Sequence, residues 1–555
     1  MKKIFRYFAF AAAVLFLFIF LINKIPLWSS DEGRFGEKAR EMSELKEYIV
    51  PYFNYIPYIE KPVLAYWSAA LSFNLFGVHN WSARFPSVFC SLMGLLLCWC
   101  FVRKLFSQKT ADWSAVILAT SIGYVLVGRF AVIDMVMTFL MSGALFSLMT
   151  ACIHQRRRYY LLSYVFMGLT FLAKGLIGML LPGLVFFVFL IWTKNLREIT
   201  KMHLGWGILI VAAVILPWCI AISMKRPEFF NVFIIQNHFS RFAGAGGFGR
   251  KRPIWFFIPI LIATALPWSF FLPAAVADGL KREDSERIKI QFLICWASVI
   301  FIFFSIAKSK LPYYLLPVSM PVAILAATFF SRESFKDGSR KILEKIGWFG
   351  SFIASAGLAL GMDAYLLMPF KKRPEIFLLE SVIYAGSVIL LSGITIAYLF
   401  YKKGKKEQSA LAMAGMIYLS LIMTSVGILK ISPYQSTFDF AQTLKPILKE
   451  ADSVAILASL DHFSDFPFYL RKRLIVVGRE WKDSSGDSRD PRERVEIQGW
   501  FMSQDQFKTE FNKRQKRYFC LLDEKNLESL TSVGIKEYFV VKRETDRLLI
   551  SNFNN

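Results

Sequence analysis

Long apolar segments recur along most of this chain, and they constrain its fold more than any other feature. A helix needs about 20 apolar residues to cross a bilayer. With 55% hydrophobic and only 19% charged residues, the 555-residue chain carries more apolar side chains than a soluble domain can bury. The sequence therefore predicts a mainly α-helical membrane protein with about 13 transmembrane helices, at 5–23, 82–102, 111–128, 132–152, 158–173, 176–193, 204–223, 254–276, 290–307, 312–330, 345–368, 379–400 and 409–429.

Basic residues in the short loops predict the orientation of these helices. Cytoplasmic loops are enriched in Lys and Arg, and thirteen spans place the loops at Arg103, Arg156 and Lys402 on the same side as Lys2 and Lys3. A fourteenth span at 63–77 would reverse that agreement, so we expect this segment to lie along the membrane interface. The same loops account for much of the net charge of +25, which in a soluble protein would indicate nucleic-acid binding.

The C-terminal part of the chain, residues 430–555, has a different pattern and is expected outside the membrane on the opposite face. Its β-rich runs and polar helical stretches alternate, which is typical of a small soluble α/β domain. We expect strands at 453–458, 474–478, 518–522 and 537–541, and a helix at 505–515. The sequence thus predicts two domains, 1–429 in the membrane and 430–555 in the periplasm, the latter with a structural or acceptor-related role.

Acidic residues cluster in the loop after the first span, on the predicted outer face. Asp31 and Glu32 lie at the start of a short helix predicted over 32–45, and Glu60-Lys61-Pro62 follows in the same loop. Ionisable residues at a membrane boundary are costly unless they serve a function. Structural alternatives remain open: acids stabilise a helix N-terminus, and Lys61 could reach toward lipid headgroups from a simple turn.

A further acid and a lysine lie between predicted spans on the same outer face. Asp134 is a functional candidate at that depth, with a buried pair between Arg129 and Asp134 as the structural alternative. Lys174, followed by Gly175, interrupts two apolar runs, and a lysine there can neutralise a phosphate.

Two more outer loops carry cations and phenols. His238 and Arg241 lead into a glycine-rich stretch that would suit a substrate lid or a plain flexible loop. Lys310 and Tyr313 add a base and a phenol, which an interfacial anchor belt would also explain. Acids and cations gathered at one face of an apolar bundle favour a lipid-linked phosphate substrate, since the cations can hold the phosphate while a carboxylate faces the reacting centre. The sequence has no nucleotide-binding loop, so the donor is expected to be lipid-borne and already activated.

Seven motifs, in this order, resemble the aminoarabinose transferases of lipid A, within the superfamily of protein O-mannosyltransferase-like GT-C glycosyltransferases. The resemblance covers residues 1 to about 330 in motifs and the whole chain in architecture. The motifs are Asp31-Glu32-Gly33-Arg34, Tyr58-Ile59-Glu60-Lys61-Pro62, Asn80-Trp81-Ser82-Ala83-Arg84-Phe85-Pro86-Ser87, Asp134-Met135-Val136-Met137, Leu172-Ala173-Lys174-Gly175, His238-Phe239-Ser240-Arg241-Phe242 and Ser309-Lys310-Leu311-Pro312.

The resemblance implies a GT-C fold with catalysis in residues 1–429 and an inverting sugar transfer from a polyprenyl phosphate at the periplasmic face of the bacterial inner membrane. It implies that Asp31 is the carboxylate nearest the reacting centre, with Asp134 and Glu60 as acidic neighbours. The implied substrate-binding residues are Arg34, Tyr58, Lys61, Lys174, His238, Arg241, Lys310 and Tyr313, with Tyr314 as an alternative to Tyr313. Asp31 would stabilise charge if the acceptor is an ionised phosphate, and would remove a proton if it is a hydroxyl.

The implied partners are an undecaprenyl-phosphate sugar donor, carrying 4-amino-4-deoxy-L-arabinose or another aminosugar, and lipid A as acceptor. No cofactor is required by the motifs, and a divalent metal is left open, because the zinc-binding histidine that the family has in a late loop has no equivalent here: the only histidine after His238 is His462, in the tail. Two alternatives stay open, a transferase of the same fold that glycosylates protein or another glycan, and a transporter of a lipid-linked substrate.

Overall fold

A computed structural model of the protein describes residues 2–240, 252–332, 338–367, 375–478, 497–528, 534–535 and 537–554. The chain separates into two compact units. We call the first the helical unit, formed by Met1–Ile22, Ser87–Ile220 and Ile234–Gly427. We call the second the loop-tail unit, formed by Asn23–Pro86, Ala221–Phe233 and Ile428–Asn555.

The helical unit consists of helices that follow the predicted apolar segments. Its helices, four of which also have residues in the loop-tail unit, are Lys2–Ile19, Asn80–Leu105, Gln108–Ala119, Ile122–Gly128, Ile133–His154, Arg157–Lys174, Leu176–Trp192, Leu196–Lys201, Leu204–Lys225, Asn231–Ser240, Ile254–Phe256, Phe257–Thr264, Trp268–Phe271, Leu272–Gly279, Asp284–Ile306, Pro312–Val318, Ser319–Phe330, Gly338–Leu367, Glu375–Lys402 and Lys406–Gln435. A helix satisfies its backbone hydrogen bonds internally, which is what an apolar environment requires.

Among the described residues, eight helices are long and apolar enough to cross a membrane. The number rises to ten when each of two bent helix pairs is taken as one span. The bends are 63° between Gln108–Ala119 and Ile122–Gly128, and 102° between Ile254–Thr264 and Trp268–Gly279. Every predicted segment coincides with a helix or a bent pair, so the helical membrane fold is confirmed, and the count of thirteen spans stays a prediction.

Close packing inside the helical unit uses small residues, as is common between membrane helices. Gly143, in Ile133–His154, is one example, because a Cβ there would lie only 2.7 Å from the ring of Phe166. Aromatic side chains fill the wider gaps: the rings of Phe271 and Phe330 have centroids 4.8 Å apart, and Trp348 lies 5.0 Å from Phe271.

In the loop-tail unit, the first loop folds into a helix, a hairpin and a second helix. The helix Glu32–Leu45 has the predicted bounds, and the hairpin follows with strands β1 (Tyr52–Phe53) and β2 (Ile56–Pro57). The hairpin turn needs positive φ at both central residues, and Asn54 and Tyr55 have φ of 56° and 60°. The helix Leu64–Phe76 matches the segment predicted for the interface; its position at the membrane surface stays a prediction.

The tail forms a six-stranded sheet in the order β5-β4-β3-β6-β8-β7. Its strands are β3 (Ser453–Ile456), β4 (Ile475–Val477), β5 (Phe501–Met502), β6 (Tyr518–Asp523), β7 (Phe539–Glu544) and β8 (Arg547–Ser551), and its helices are Phe438–Leu444, Asp465–Leu470, Gln504–Lys513 and Glu524–Asn526. Strands β5, β4, β3 and β6 are parallel, while β8 and β7 extend the sheet antiparallel. The predicted α/β character is confirmed, and the sequence analysis missed β5 and β8.

The compact units follow a different division from the predicted boundary at 429/430. The helix Lys406–Gln435 runs through that position, and residues 23–86 belong to the same unit as the tail. Asn54 gives one reason for this grouping: its side-chain amide donates to the carbonyl of Leu474 (3.0 Å) and its carbonyl accepts from the Leu474 amide (2.7 Å). The two-domain division at 429/430 stays a prediction.

Candidate active site

The adjacent acids Asp31 and Glu32 have different environments at the start of the helix Glu32–Leu45. The side chain of Glu32 is 1% exposed and forms a two-point ion pair with Arg84, at 2.7 Å for each bond. It also accepts a hydrogen bond from the backbone amide of Trp28 at 3.1 Å. The side chain of Asp31 is 53% exposed, and within this described helix it makes no capping hydrogen bond. Glu32 therefore stabilises the loop, while the Asp31 carboxylate stays half-exposed to solvent.

Arg34 lies beside Asp31 and connects it to the tail. One guanidinium nitrogen of Arg34 is 3.7 Å from the Asp31 carboxylate, and another lies 3.2 Å from the carboxylate of Asp461. Gly33 allows this close approach of the helix to the tail, because a Cβ at Gly33 would lie 2.5 Å from the backbone nitrogen of Asp465. The Asp-Glu-Gly-Arg motif is thus explained residue by residue: an exposed acid, a buried acid, a close contact and a bridging cation.

Tyr58 and Glu60 meet around a lysine that the sequence analysis did not single out. The buried Tyr58 hydroxyl donates to a carboxylate oxygen of Glu60 at 3.0 Å. The side-chain nitrogen of Lys38 lies 3.1 Å from the centre of the Tyr58 ring, and this side chain is 1% exposed. Burial lowers the pKa of Lys38 well below its usual range, with the charge of Arg34 acting in the same direction and Asp461 and Glu60 opposing it.

Only one sequence signal could have indicated Lys38. It lies four residues after Arg34, which puts both residues on the same face of the helix. Lys61, the remaining candidate in this loop, is half-buried and adds a positive charge near Lys38.

In the helical unit, Asp134 and Lys174 pair with each other. Asp134 lies in the first turn of Ile133–His154, and Lys174 ends the helix Arg157–Lys174, so each charge is favourable for its helix terminus. The Lys174 ammonium donates to the Asp134 carboxylate and lies 4.8 Å from the centre of the Tyr314 ring. Arg129, which the sequence offered as a structural partner for Asp134, donates to the Ser425 hydroxyl and the Phe20 carbonyl.

Lys310 and Tyr313 lie in the next loop of the helical unit. Lys310 is 3% exposed, and its ammonium donates to the backbone carbonyls of Arg252 (3.1 Å) and Ala307. Tyr313 is half-buried and lines a mainly apolar cleft together with Tyr124 and Thr264. Lys310 therefore holds this loop together, whereas Tyr313 faces a space that an apolar ligand could enter.

Two candidates cannot be placed. The side chain of His238 and all of Arg241 lie outside the described residues. The other candidates fall into one set in the loop-tail unit (Asp31, Arg34, Tyr58, Glu60 and Lys61) and another in the helical unit (Asp134, Lys174, Lys310 and Tyr313).

The sequence does not decide whether the protein binds a metal ion. It has no equivalent of the zinc-binding histidine found in the family that it resembles. Over the part of the chain that the structure describes, no three His, Cys, Asp or Glu side chains converge in a way that could hold a metal ion. The described residues therefore offer no set of three ligands for such an ion.

Comparisons with known proteins agree with this fold. Residues 60–220 match the family model described as dolichyl-phosphate-mannose-protein mannosyltransferase. An undecaprenyl phosphate-α-4-amino-4-deoxy-L-arabinose arabinosyl transferase of Shewanella sediminis is 31% identical over 484 residues, which cover 84% of this chain and 85% of that protein. A protein of the same name from Yersinia pestis is 34% identical over 330 residues, covering 57% of this chain and 59% of the relative.

Solved structures share the fold. The structure of ArnT from Cupriavidus metallidurans bound to undecaprenyl phosphate superposes with a TM-score of 0.86 at 25% identity, covering 99% of this chain and 98% of that one. The apo oligosaccharyltransferase of Archaeoglobus fulgidus has the same general fold, with a TM-score of 0.52 at 12% identity over 93% of this chain and 69% of that one. The predicted GT-C fold is thus confirmed. Because the Shewanella relative aligns along most of both chains, this chain belongs to the undecaprenyl phosphate-α-4-amino-4-deoxy-L-arabinose arabinosyl transferases and is a multi-pass membrane glycosyltransferase.

Proposed function

We propose that this enzyme transfers 4-amino-4-deoxy-L-arabinose from undecaprenyl phosphate to lipid A. The observation that carries the proposal is the alignment over 484 residues with a relative whose name states that donor. The ArnT structure with undecaprenyl phosphate bound supports the same donor. Lipid A suits the site as acceptor because it is a membrane-embedded molecule whose phosphates are already ionised.

The reaction takes place at the periplasmic face of the inner membrane in this proposal. The support is the distribution of Lys and Arg in the loops, which puts the amino terminus inside and the loop after the first span outside. Asp31, Glu60 and the tail then share the periplasmic side. Residues 1–429 carry out the transfer, and residues 430–555 form a periplasmic domain.

The transfer itself is a displacement at the anomeric carbon of the donor sugar. An oxygen of the acceptor phosphate forms a bond to that carbon, the bond to the donor phosphate oxygen breaks, and undecaprenyl phosphate leaves with the electron pair. An ionised phosphate needs no general base, so the exposed Asp31 carboxylate stabilises the positive charge that develops on the sugar. Glu60 and Asp134 are the two further acidic residues of the proposed catalytic set.

Cations hold the donor phosphate before and after transfer. In this proposal Lys61, Lys174 and Arg241 supply the charge and Tyr313 supplies a phenol, while Arg34 and Tyr58 line the cavity and His238 and Lys310 complete the substrate-binding set. Lys174 must exchange the Asp134 carboxylate, its partner in the structure, for the phosphate. That exchange leaves Asp134 free to meet the amino group of the sugar.

Mass spectrometry of lipid A from cells with and without the gene tests the substrates. We expect lipid A heavier by one aminopentose residue only when the wild-type gene is present, and unmodified lipid A with the Asp31→Asn variant at equal expression. Unchanged lipid A together with altered protein glycans would instead identify a protein glycosyltransferase, the activity for which the matching family model is named.

A further inference from the structure

The tail contains a polar cavity that the transfer reaction does not use. Its volume is about 410 Å³, which lies within the usual range for small-molecule sites. The described residues that line it are Leu457, Ala458, Ser459, His462, Val477, Gly478, Gln504, Asp523, Lys525 and Asn526.

The cavity lies where open α/β sheets bind their ligands. The chain builds β3, then β4 and β5 on one side, and then returns to place β6 on the other side of β3. Ligands of such sheets bind at the carboxyl ends of the strands, at the position where the strand order reverses. The lining residues come from the carboxyl ends of all four parallel strands, including Leu457 after β3, Gly478 after β4, Gln504 after β5 and Asp523 at the end of β6.

Several polar side chains converge on this space. Asp523 places a carboxylate oxygen 3.1 Å from Nε2 of His462, and the Lys525 ammonium is 3.7 Å from the other oxygen. Burial raises the pKa of Asp523, but the hydrogen bond and charge of His462, together with the charges of Lys525 and Arg547, outweigh burial and lower the pKa overall, so the carboxylate is ionised at neutral pH. Gln504 reaches the cavity over Gly478, which has a φ of 73° and no side chain to obstruct the amide.

The chemistry of the lining excludes several classes of ligand. Within the described lining, one carboxylate is opposed by one lysine, so a phosphate would meet repulsion from Asp523 as well as attraction from Lys525. A single carboxylate and a single histidine are too few for a divalent cation. Amides, a hydroxyl, a carboxylate and an ammonium offer donors and acceptors side by side, which is what the hydroxyl groups of a sugar require.

We propose that this cavity is a second, non-catalytic site that binds a saccharide. The loop after β3 connects it to the candidate transfer residues, because Asp461 in that loop contacts Arg34 beside Asp31, and the next residue, His462, lines the cavity. A saccharide bound here is therefore held within the same unit as Asp31. The assignment of the saccharide to the carbohydrate of the acceptor rests on the proposed function. The proposal that the cavity binds a saccharide does not rest on it.

The test is saturation-transfer NMR on the full-length protein in nanodiscs, free of detergents with sugar headgroups. The probes are maltose, as a neutral disaccharide, and the carbohydrate released from lipopolysaccharide by deacylation. We expect saturable signals from at least one probe, and affinity about three- to tenfold weaker in Gln504→Ala and in Asn526→Ala, as expected for the loss of one hydrogen bond. The matched control is Gln498→Ala, an exposed glutamine that lines a separate cleft, which should bind like wild type.

The probe that binds more tightly identifies the source of the saccharide, and either result supports the site. No saturable signal from either sugar, or equal affinity in Gln504→Ala, Asn526→Ala and Gln498→Ala, would overturn the proposal. Displacement of the sugar by inorganic phosphate at equal concentration would also overturn it, since it would show an anion site. Wild-type protein that lacks transfer activity but still binds saccharide through Gln504 would contradict the proposed function alone.

Discussion

Asp31 and Glu32 are neighbours in sequence, yet only Asp31 has an exposed carboxylate. The buried Glu32–Arg84 pair fixes the loop, whereas the Asp31 carboxylate is half-exposed and makes no capping hydrogen bond in the described helix. The sequence showed that acids occur at this position, but it could not separate their roles, because Arg84 lies 52 residues away in the chain.

Changing Glu32 should therefore lower stability, whereas changing Asp31 should lower activity and leave stability nearly unchanged. Glu32→Ala leaves the Arg84 guanidinium buried without its carboxylate, which typically costs about 3–5 kcal/mol. Asp31→Ala removes a side chain that is 53% exposed, so its unfolding free energy should change by about 0.5 kcal/mol or less. Thermal unfolding in detergent compares the two variants, and equal melting temperatures would contradict the distinct roles.

Lys38 should make the stability of the protein depend on pH. Burial lowers the pKa of Lys38, so between that value and the usual lysine value of about 10.4 the unfolded chain binds a proton that the folded chain does not. Stability therefore rises with pH through this window. Lys38→Met should remove the contribution of Lys38 to the slope of the unfolding free energy against pH, which is up to about 1.4 kcal/mol per pH unit.

Melting temperatures at pH 7, 8 and 9 measure that slope. The matched control is Lys24→Met, an exposed lysine in the same loop, which should keep the wild-type slope. If Lys38→Met and wild type have the same slope, Lys38 is not the titrating group.

Helices are the elements that the sequence predicted best. An apolar run of the right length is a local signal, and each predicted span coincides with a helix or a bent pair. The non-local contacts were out of reach: the partner of Arg34 is Asp461, and the pairing of Lys174 with Asp134 joins the ends of two helices. The two-residue strand β5 was missed because so short a run gives no alternating pattern.

The Asp134–Lys174 pair allows structure and function to be separated at the ends of two helices. Lys174→Met leaves a carboxylate that is 8% exposed without its cation, so we expect a loss of about 3–5 kcal/mol, most of it recovered in the Asp134→Asn/Lys174→Met double variant. Transfer should stay impaired in the double variant, because Lys174, one of the cations proposed to hold the donor phosphate, is missing. Unfolding and turnover are measured on the same preparations.

The Lys406–Glu344 pair is the matched control, with side chains 12% and 7% exposed in the same unit. Lys406→Met should lower the unfolding free energy, and the Lys406→Met/Glu344→Gln double variant should recover most of that loss. Both variants should continue to transfer sugar. A double variant of Asp134 and Lys174 that transfers sugar at the wild-type rate would show that this pair is structural only.

At the scale of the whole molecule, the first loop and the tail form one compact unit although they are far apart in sequence. Asp465 illustrates the connection: its buried carboxylate accepts hydrogen bonds from Ser29 in the loop and from Ser436 (2.7 Å) and the Thr437 amide (2.6 Å) in the tail. Composition separated the tail from the membrane helices, but it carried no information on this shared packing.

Loss of that carboxylate should loosen the loop. We expect Asp465→Ala to make residues 23–86 several-fold more sensitive to limited proteolysis, because buried hydrogen-bond donors from both segments lose their acceptor. Asp505→Ala, at an exposed position of the tail, is the control and should be cleaved like wild type. Equal cleavage of both variants would show that the loop does not depend on Asp465.

The proposed transfer of aminoarabinose from undecaprenyl phosphate to lipid A depends on the Asp31 carboxylate. The most direct test is transfer by purified protein in liposomes that contain both lipids, comparing wild type with Asp31→Asn. We predict product with wild type and a loss of at least 100-fold (about 2.7 kcal/mol) with Asp31→Asn, at an unchanged melting temperature. Full activity of Asp31→Asn, or no product with the wild-type enzyme, would contradict the account.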